Sequence, residues 1–338
     1  MAKRKNIVVT LISLTLLLSC ITSPAYSATK KVKVGIIYDI GGRGDGSVND
    51  AVALGVDTAK VKFGLSNFDV RELVTSGSDF DRENRIEFLV KAKYDLVIGV
   101  GSSFDEAMTF MSDKYPRAQF AIVGSSGVGT LNVSCMAFAK DQSAFLAGVM
   151  AAMNSKSRKI GYLGDATSPT NDLELANFRA GAKYGSSKIK VLAREVNDSA
   201  ESQVATLSKR AVDVIFAPWS RNGSIVTSIS KLTRGKKSIK LIGVKPEQFI
   251  LQTKAAKRIL IGYITERYEN AVVDLIGATV GDKSIIEIVD GKRGVFGRKY
   301  TLANDGIDLV ATAANQALKV AVAEAKAAIL AKEIKLIK

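Results

Sequence analysis

Short apolar, β-branched runs alternate with segments of helical spacing along almost the whole chain. The first set of runs is VKVGIIYD from Val32, FDVREL from Phe68, YDLVIGVG from Tyr94, QFAIVG from Gln119 and NVSCMAF from Asn132. The second is KIGYLGD from Lys159, KIKVLAREV from Lys188, DVIFAP from Asp213 and IKLIGV from Ile239, with RILIGYIT from Arg258 following later. Runs this apolar predict strands covered on both faces, as in parallel sheets. Helical patterns fit between them. VNDAVALGVDTAKVKFG follows the first strand, and DFDRENRIEFLVKAK places Ile86, Leu89 and Val90 on one face. AFLAGVMAAMNSK is small and apolar, which suits close packing, and NDLELANFRAGAKYG starts with Asn or Asp as a cap and ends at Gly185. The run from Asp308 to Lys338 reads as a surface helix on the second sheet. The two βα series meet near residue 137 without a Pro/Gly/Ser linker, so the pattern predicts two lobes joined by several strand crossings.

The 338 residues suffice for two lobes with real cores. The chain contains no histidine, which removes a Ser-His-Asp or Cys-His device, histidine metal sites and the commonest general base. There are two cysteines, Cys20 and Cys135, and Cys135 in NVSCMAF reads as a small buried hydrophobe. The formal charge is +15, but the basic residues are scattered, with RGKKSIK at Arg234–Lys240 the nearest thing to a run. That distribution speaks against nucleic acid and for work near an anionic surface. The first residues supply a reason. Lys3, Arg4 and Lys5 precede a short apolar run, Ile7–Leu18, and small residues follow, the pattern of an export signal over residues 1–27. LLSC at Leu17–Cys20 fits a lipoprotein box with lipidation at Cys20, while AYS before Ala28 fits ordinary cleavage into a secreted or periplasmic form.

The stretch YDIGGRGDGSVNDAVALG, from Tyr38, carries the candidate chemistry. It fails as a dinucleotide fingerprint, because Ser47 stands where the third glycine belongs, and no P-loop pattern occurs. IGVGSSF from Ile98 fails in the same way at Phe104. What remains is a turn in which Gly41 and Gly42 let the backbone approach a neutral solute, with Asp45, Ser47 and Asn49 as short hydrogen-bonding groups near a helix start. The alternative is that Ser47 or Asn49 simply caps that helix, with Asp45 favoured by the dipole.

These residues, followed by YDLVIGVGSSFDEAMTFMSDKYPRAQFAIV, MAFAKDQSAFLAGVMAAMNSKSRKIGYLGD, NFRAGAKYG and AVDVIFAP, resemble the basic membrane protein family from Val32 to about Gly243. Its members are substrate-binding lipoproteins of ABC importers, and purine nucleoside receptors form one branch. The resemblance implies an α/β, type I periplasmic-binding-protein fold: two Rossmann-like lobes with parallel sheets joined by crossover strands. Residues 31–136 with 258–290 are expected in the first lobe, and 137–257 with 291–338 in the second. The family's pocket stacks a purine between aromatics and holds ribose with carboxylates, an asparagine and a lysine.

Carried over, the match keeps Asp45, Ser47, Asn49 and the aromatic Phe178, for which a core role is the alternative. It departs at Val48 (aromatic in the family), Gly124 (aspartate), Lys245 (aspartate) and Thr265 (lysine). Lys245 needs a new acid such as Glu266 or a ligand of different charge, and Trp219, the sole tryptophan, is positioned after a strand to replace the lost stacking face or to anchor a loop. The expected ligand set is therefore Asp45, Ser47, Asn49, Phe178, Trp219 and Lys245, with no cofactor, no metal and no catalysis. The expected partners are a small-molecule solute, a membrane permease and, indirectly, a separate ATPase. Alternatives are a ligand sensor for a membrane receptor, a nucleoside hydrolase using Asp39, Asp45 and Asp50, and a surface adhesin.

Overall fold

The strand β1 (Val34–Tyr38) is apolar at nearly every position and buried along its length, because helices cover both faces of its sheet. It is the seed of a first layered unit in a computed structural model that describes residues 32–46, 48–196, 200–218, 223–232, 238–244, 254–285, 297–312 and 316–338. After β1 come α1 (Val48–Phe63), β2 (Val70–Val74), α2 (Asp79–Lys91), β3 (Leu96–Val100), α3 (Asp105–Lys114), β4 (Phe120–Val123) and β5 (Val133–Phe138). A second series follows: α4 (Lys140–Asn154), β6 (Lys159–Asp165), α5 (Asn171–Gly185), β7 (Lys190–Val196), α6 (Glu201–Lys209), β8 (Val214–Phe216), α7 (Gly223–Leu232), β9 (Lys240–Val244), α8 (Lys254–Ile259) and β10 (Leu260–Glu266). The chain closes with α9 (Tyr268–Val280), β11 (Gly297–Tyr300), β12 (Ile307–Ala311) and α10 (Gln316–Leu330).

Two six-stranded sheets result, ordered β11-β5-β4-β3-β1-β2 and β12-β10-β9-β8-β6-β7. The first is parallel throughout, and in the second only β12 runs antiparallel, against β10. This is the type I periplasmic-binding-protein arrangement. The lobe boundaries read from the sequence need correcting. Residues 260–266, expected in the first lobe, pair in the second sheet, and residues 297–300, expected in the second, pair with β5 in the first. The chain therefore crosses between sheets at 138–140, 266–268 and 300–307. Each crossing contributes one aromatic to a stack: the Phe138 ring lies 4.2 Å from that of Tyr268 and 5.1 Å from that of Tyr300. The C-terminal run also differs from expectation, since Ile307–Ala311 is a strand and the helix starts only at Gln316.

Two packing details position the site. The helices α4 and α5 meet through glycine: a Cβ on Gly148 would press into the carbonyl oxygen of Phe178, and one on Gly181 into that of Phe145. That close approach is what the small-residue run of α4 was read to permit. Cys135 is buried as expected; its thiol donates to the Val128 carbonyl at 3.4 Å, and burial pushes its pKa up to about 11.

Candidate functional site

The glycine corner after β1 is built by four glycines with positive φ, at 99° (Gly41), 61° (Gly42), 91° (Gly44) and 67° (Gly46). Such angles are costly for any residue with a Cβ. The corner wraps the first-turn acid of α1, with the amides of Gly44 and Gly46 donating to the Asp50 carboxylate at 2.5 and 2.9 Å. Asn49 is 2% exposed and fastens the corner to β1. Its Oδ1 accepts from the Asp39 amide at 3.2 Å, and its Nδ2 donates to the Asp45 carboxylate at 2.8 Å and to the carbonyls of Asp39 and Ile40 at 3.3 and 3.4 Å. Asn49 thus orients Asp45 as well as the turn. Arg43 is engaged elsewhere, in a two-pronged bond to Asp57 (2.9 Å each) and a bond to Glu72 at 2.6 Å, which tie the corner to α1 and β2.

Asp39, Ile40, Asp45, Val48 and Asn49 form one wall of a cavity of about 430 Å³. The remaining walls come from the carboxyl ends of strands in both sheets: Val100 and Gly101 after β3, Gly124 after β4, Asp165 on β6, Phe216 and Pro218 after β8, Val244 on β9, and Ile264 and Glu266 on β10. Doubly wound sheets place ligands at such strand ends. Lys140, the first residue of α4, reaches Glu174 of α5 at 3.7 Å, and Glu174 also accepts from the Thr170 hydroxyl at 2.7 Å. Burial pulls the Lys140 ammonium down, but Glu174, Glu266 and Asp165 outweigh it and hold its pKa above the ordinary value. Burial, with Glu266 adding to it, raises the Glu174 carboxyl in spite of Lys140. Tyr268 donates to Glu266 at 2.8 Å, and burial first, then that carboxylate, keeps its hydroxyl protonated. Among the described lining residues the cavity carries Asp39, Asp45, Asp165, Glu174 and Glu266 against the single cation Lys140. Arg82 approaches Asp39 at 3.4 Å. Three aromatic rings, Tyr162, Phe216 and Tyr268, line it beside aliphatic side chains such as Val48, Val244 and Ile264.

Of the residues expected from the sequence, Asp45 and Asn49 come together in the cavity wall. Phe178 does not line it. Its ring is fully buried behind the wall, stacked 5.4 Å from Phe216 and tilted 5.7 Å from Tyr162, so it supports the aromatic surface from the core. Ser47, Trp219, Lys245 and the lipidation candidate Cys20 lie outside the described residues. The departures from the family pattern acquire a local cause. Gly124 has φ of 100°, and a Cβ there would stand 3.0 Å from the Tyr268 ring, so tyrosine occupies the space of the expected aspartate. Thr265 turns from the cavity towards the Asp308 carbonyl at 3.4 Å, while its neighbours Ile264 and Glu266 face in. Lys140, Tyr162, Glu174 and Tyr268 were not singled out by sequence reasoning. Only Lys140 left a signal, as the first charged residue after the apolar run NVSCMAF and Ala139.

The fold and this cavity define a solute-binding protein of the two-lobed type. A structure of an ABC transporter system solute-binding protein from Aeropyrum pernix superposes with a TM-score of 0.70, covering 90% of this chain and 93% of that one at 19% identity, a likeness in fold. The family described as ABC transporter substrate-binding protein PnrA-like matches residues 31–287, and the chain belongs to that family. The CD4+ T-cell-stimulating antigen of Listeria monocytogenes is 28% identical over 235 residues, 66% of this chain and 65% of its own length. The ABC transporter nucleoside-binding protein BmpA of Lactococcus lactis is 28% identical over 342 residues, 95% of each chain. This chain thus spans just under two thirds of the Listeria relative and nearly all of the Lactococcus one.

Proposed function

We propose that this protein is the extracytoplasmic receptor of an ABC importer, held at the membrane by lipid on Cys20, and that it binds a neutral nucleoside or a close relative between its lobes. The observation that carries this reading is the composition of the cavity built from both sheets: three aromatic rings beside five carboxylates and a lysine. Flat rings suit a nucleobase. Carboxylates suit the hydroxyl donors of a sugar, and in a dry cleft such charged hydrogen bonds are strong. The same acids repel an added phosphate. The residues assigned to contact are Asp45, Glu174, Glu266 and Lys140 for the polar part and Tyr162, Phe216 and Tyr268 for the base. The receptor performs no reaction; it closes on its solute and delivers it to a permease driven by a separate ATPase.

Titration calorimetry with matched nucleosides and their 5′-monophosphates tests this. A purine or pyrimidine nucleoside binds, and its monophosphate binds about a hundredfold more weakly, because like charges are brought together in the cleft. Equal affinity for both, or no heat with any nucleoside, overturns the assignment.

A further inference from the structure

The edge of the first sheet opposite the cavity, where β1, β3 and β4 begin, has a chemistry of its own. A groove of about 550 Å³ crosses it, lined among others by Lys93, Tyr94, Lys114, Tyr115, Pro116 and Arg117 from the turns after α2 and α3. Lys93 takes φ of 61° to end α2, with its amide donating to the Val90 carbonyl and that of Tyr94 to the Leu89 carbonyl. The side chains of Lys93 and Arg117 are exposed, and neither has a partner among the described residues. The acids around them are occupied: Glu87 receives the Tyr115 hydroxyl and the ammonium groups of Lys91 and Lys114 (3.1 Å each), Asp95 accepts from the Lys33 amide at 2.8 Å, and Asp69 accepts from Ser66. Asp113 is the exposed acid nearby. Lysines lie over the aromatic rings, Lys33 6.0 Å from the centre of Tyr94 and Lys114 5.6 Å from that of Tyr115. On the same edge Phe68, before β2, is 90% exposed and Leu131, before β5, is 66% exposed.

Free cations, aromatic rings and solvent-facing apolar side chains on one edge are what a bilayer interface attracts. The position of the chain says which bilayer. The described residues begin at Val32 on this edge, where the Val34 amide donates to the Asp69 carbonyl. Only residues 21–31 separate it from Cys20. Even fully extended, that stretch reaches no more than ~40 Å. A lipid on Cys20 would therefore tether the chain to the bilayer through this edge.

We infer that this edge is a membrane-facing surface on which the receptor rests between encounters with its permease, with Lys93 and Arg117 meeting the phosphates of anionic phospholipids. It rests on the anchoring proposed above, and its test separates the two. The mature protein is purified from its host membrane, carrying one added cysteine for a fluorophore at Leu131→Cys or at Ser187→Cys on the second lobe; Cys135 is buried and stays unlabelled. It is mixed at low salt with phosphatidylcholine vesicles, with or without phosphatidylglycerol, that contain a headgroup quencher. The label at 131 is quenched in the anionic vesicles and the label at 187 is not. The double variant Lys93→Glu/Arg117→Glu abolishes that quenching while the protein still floats with the vesicles and still binds solute. Equal quenching at both positions, or quenching at 131 indifferent to phosphatidylglycerol or to the double variant, overturns the inference. Should the protein not float with neutral vesicles, the anchor is absent. Flotation on anionic vesicles then decides: wild type floats and the double variant binds roughly a hundredfold more weakly, whereas no flotation, or no difference, contradicts it.

Discussion

Asn49 shows how much one side chain does in this protein. It is buried, and it spends both ends of its amide on the corner that presents Asp45. Asn49→Ala leaves the Asp39 amide without its acceptor and releases Asp45, so unfolding stability falls by about 2 kcal/mol, the cost of an unmet buried polar group. Solute affinity falls with it. Urea titration and calorimetry on the variant check the two effects. Glu174 makes a different prediction. Its pKa is raised by burial, so the folded protein holds that proton to higher pH than the unfolded chain. Between the ordinary carboxyl value of 4.5 and the raised folded value, the folded state binds more protons and stability declines as pH rises. Glu174→Gln removes that part of the decline, read as a flatter dependence of unfolding free energy on pH from 4 upward. At this scale the sequence showed Asp45 and Asn49, because they lie in one local turn with recognisable glycines. Lys140, Glu174 and Tyr268 come from three segments that only the fold brings together, and no local pattern marks such a set.

At the scale of elements, ten strands fall within a few residues of the apolar runs that announced them, most clearly central ones such as β1, β3 and β4, where burial on both faces leaves an unbroken hydrophobic signature. The exceptions have physical reasons. β11 is the four-residue edge strand GRKY, two of whose residues are basic, and β12 is an edge strand whose apolar positions merge with an alanine-rich helix downstream. Missing both misplaced the third crossing, which these strands bracket. The α4–α5 contact offers the sharpest test of an element. In an isolated helix Gly→Ala is favourable by about 1 kcal/mol. Here Gly148→Ala drives a methyl into the Phe178 backbone carbonyl, and overpacking dominates. The variant loses about 2–3 kcal/mol in chemical denaturation. It also disturbs the Phe178 ring that supports Phe216 and Tyr162 behind the cavity.

At the scale of the whole molecule, three strand crossings among the described residues, each contributing an aromatic residue to one cluster, join two sheets whose carboxyl ends line a shared cavity. The excess of positive charge finds a use away from that cavity, on the edge nearest the chain's entry. The proposed capture of a solute engages the two halves together, so the decisive measurement is amide hydrogen exchange by mass spectrometry with and without the nucleoside that binds in calorimetry. The account predicts slowed exchange in both 39–49 and 165–174, segments of opposite lobes, with the outer helices unchanged. Protection confined to one lobe, or none at saturating nucleoside, would contradict the claim that a solute is held between them.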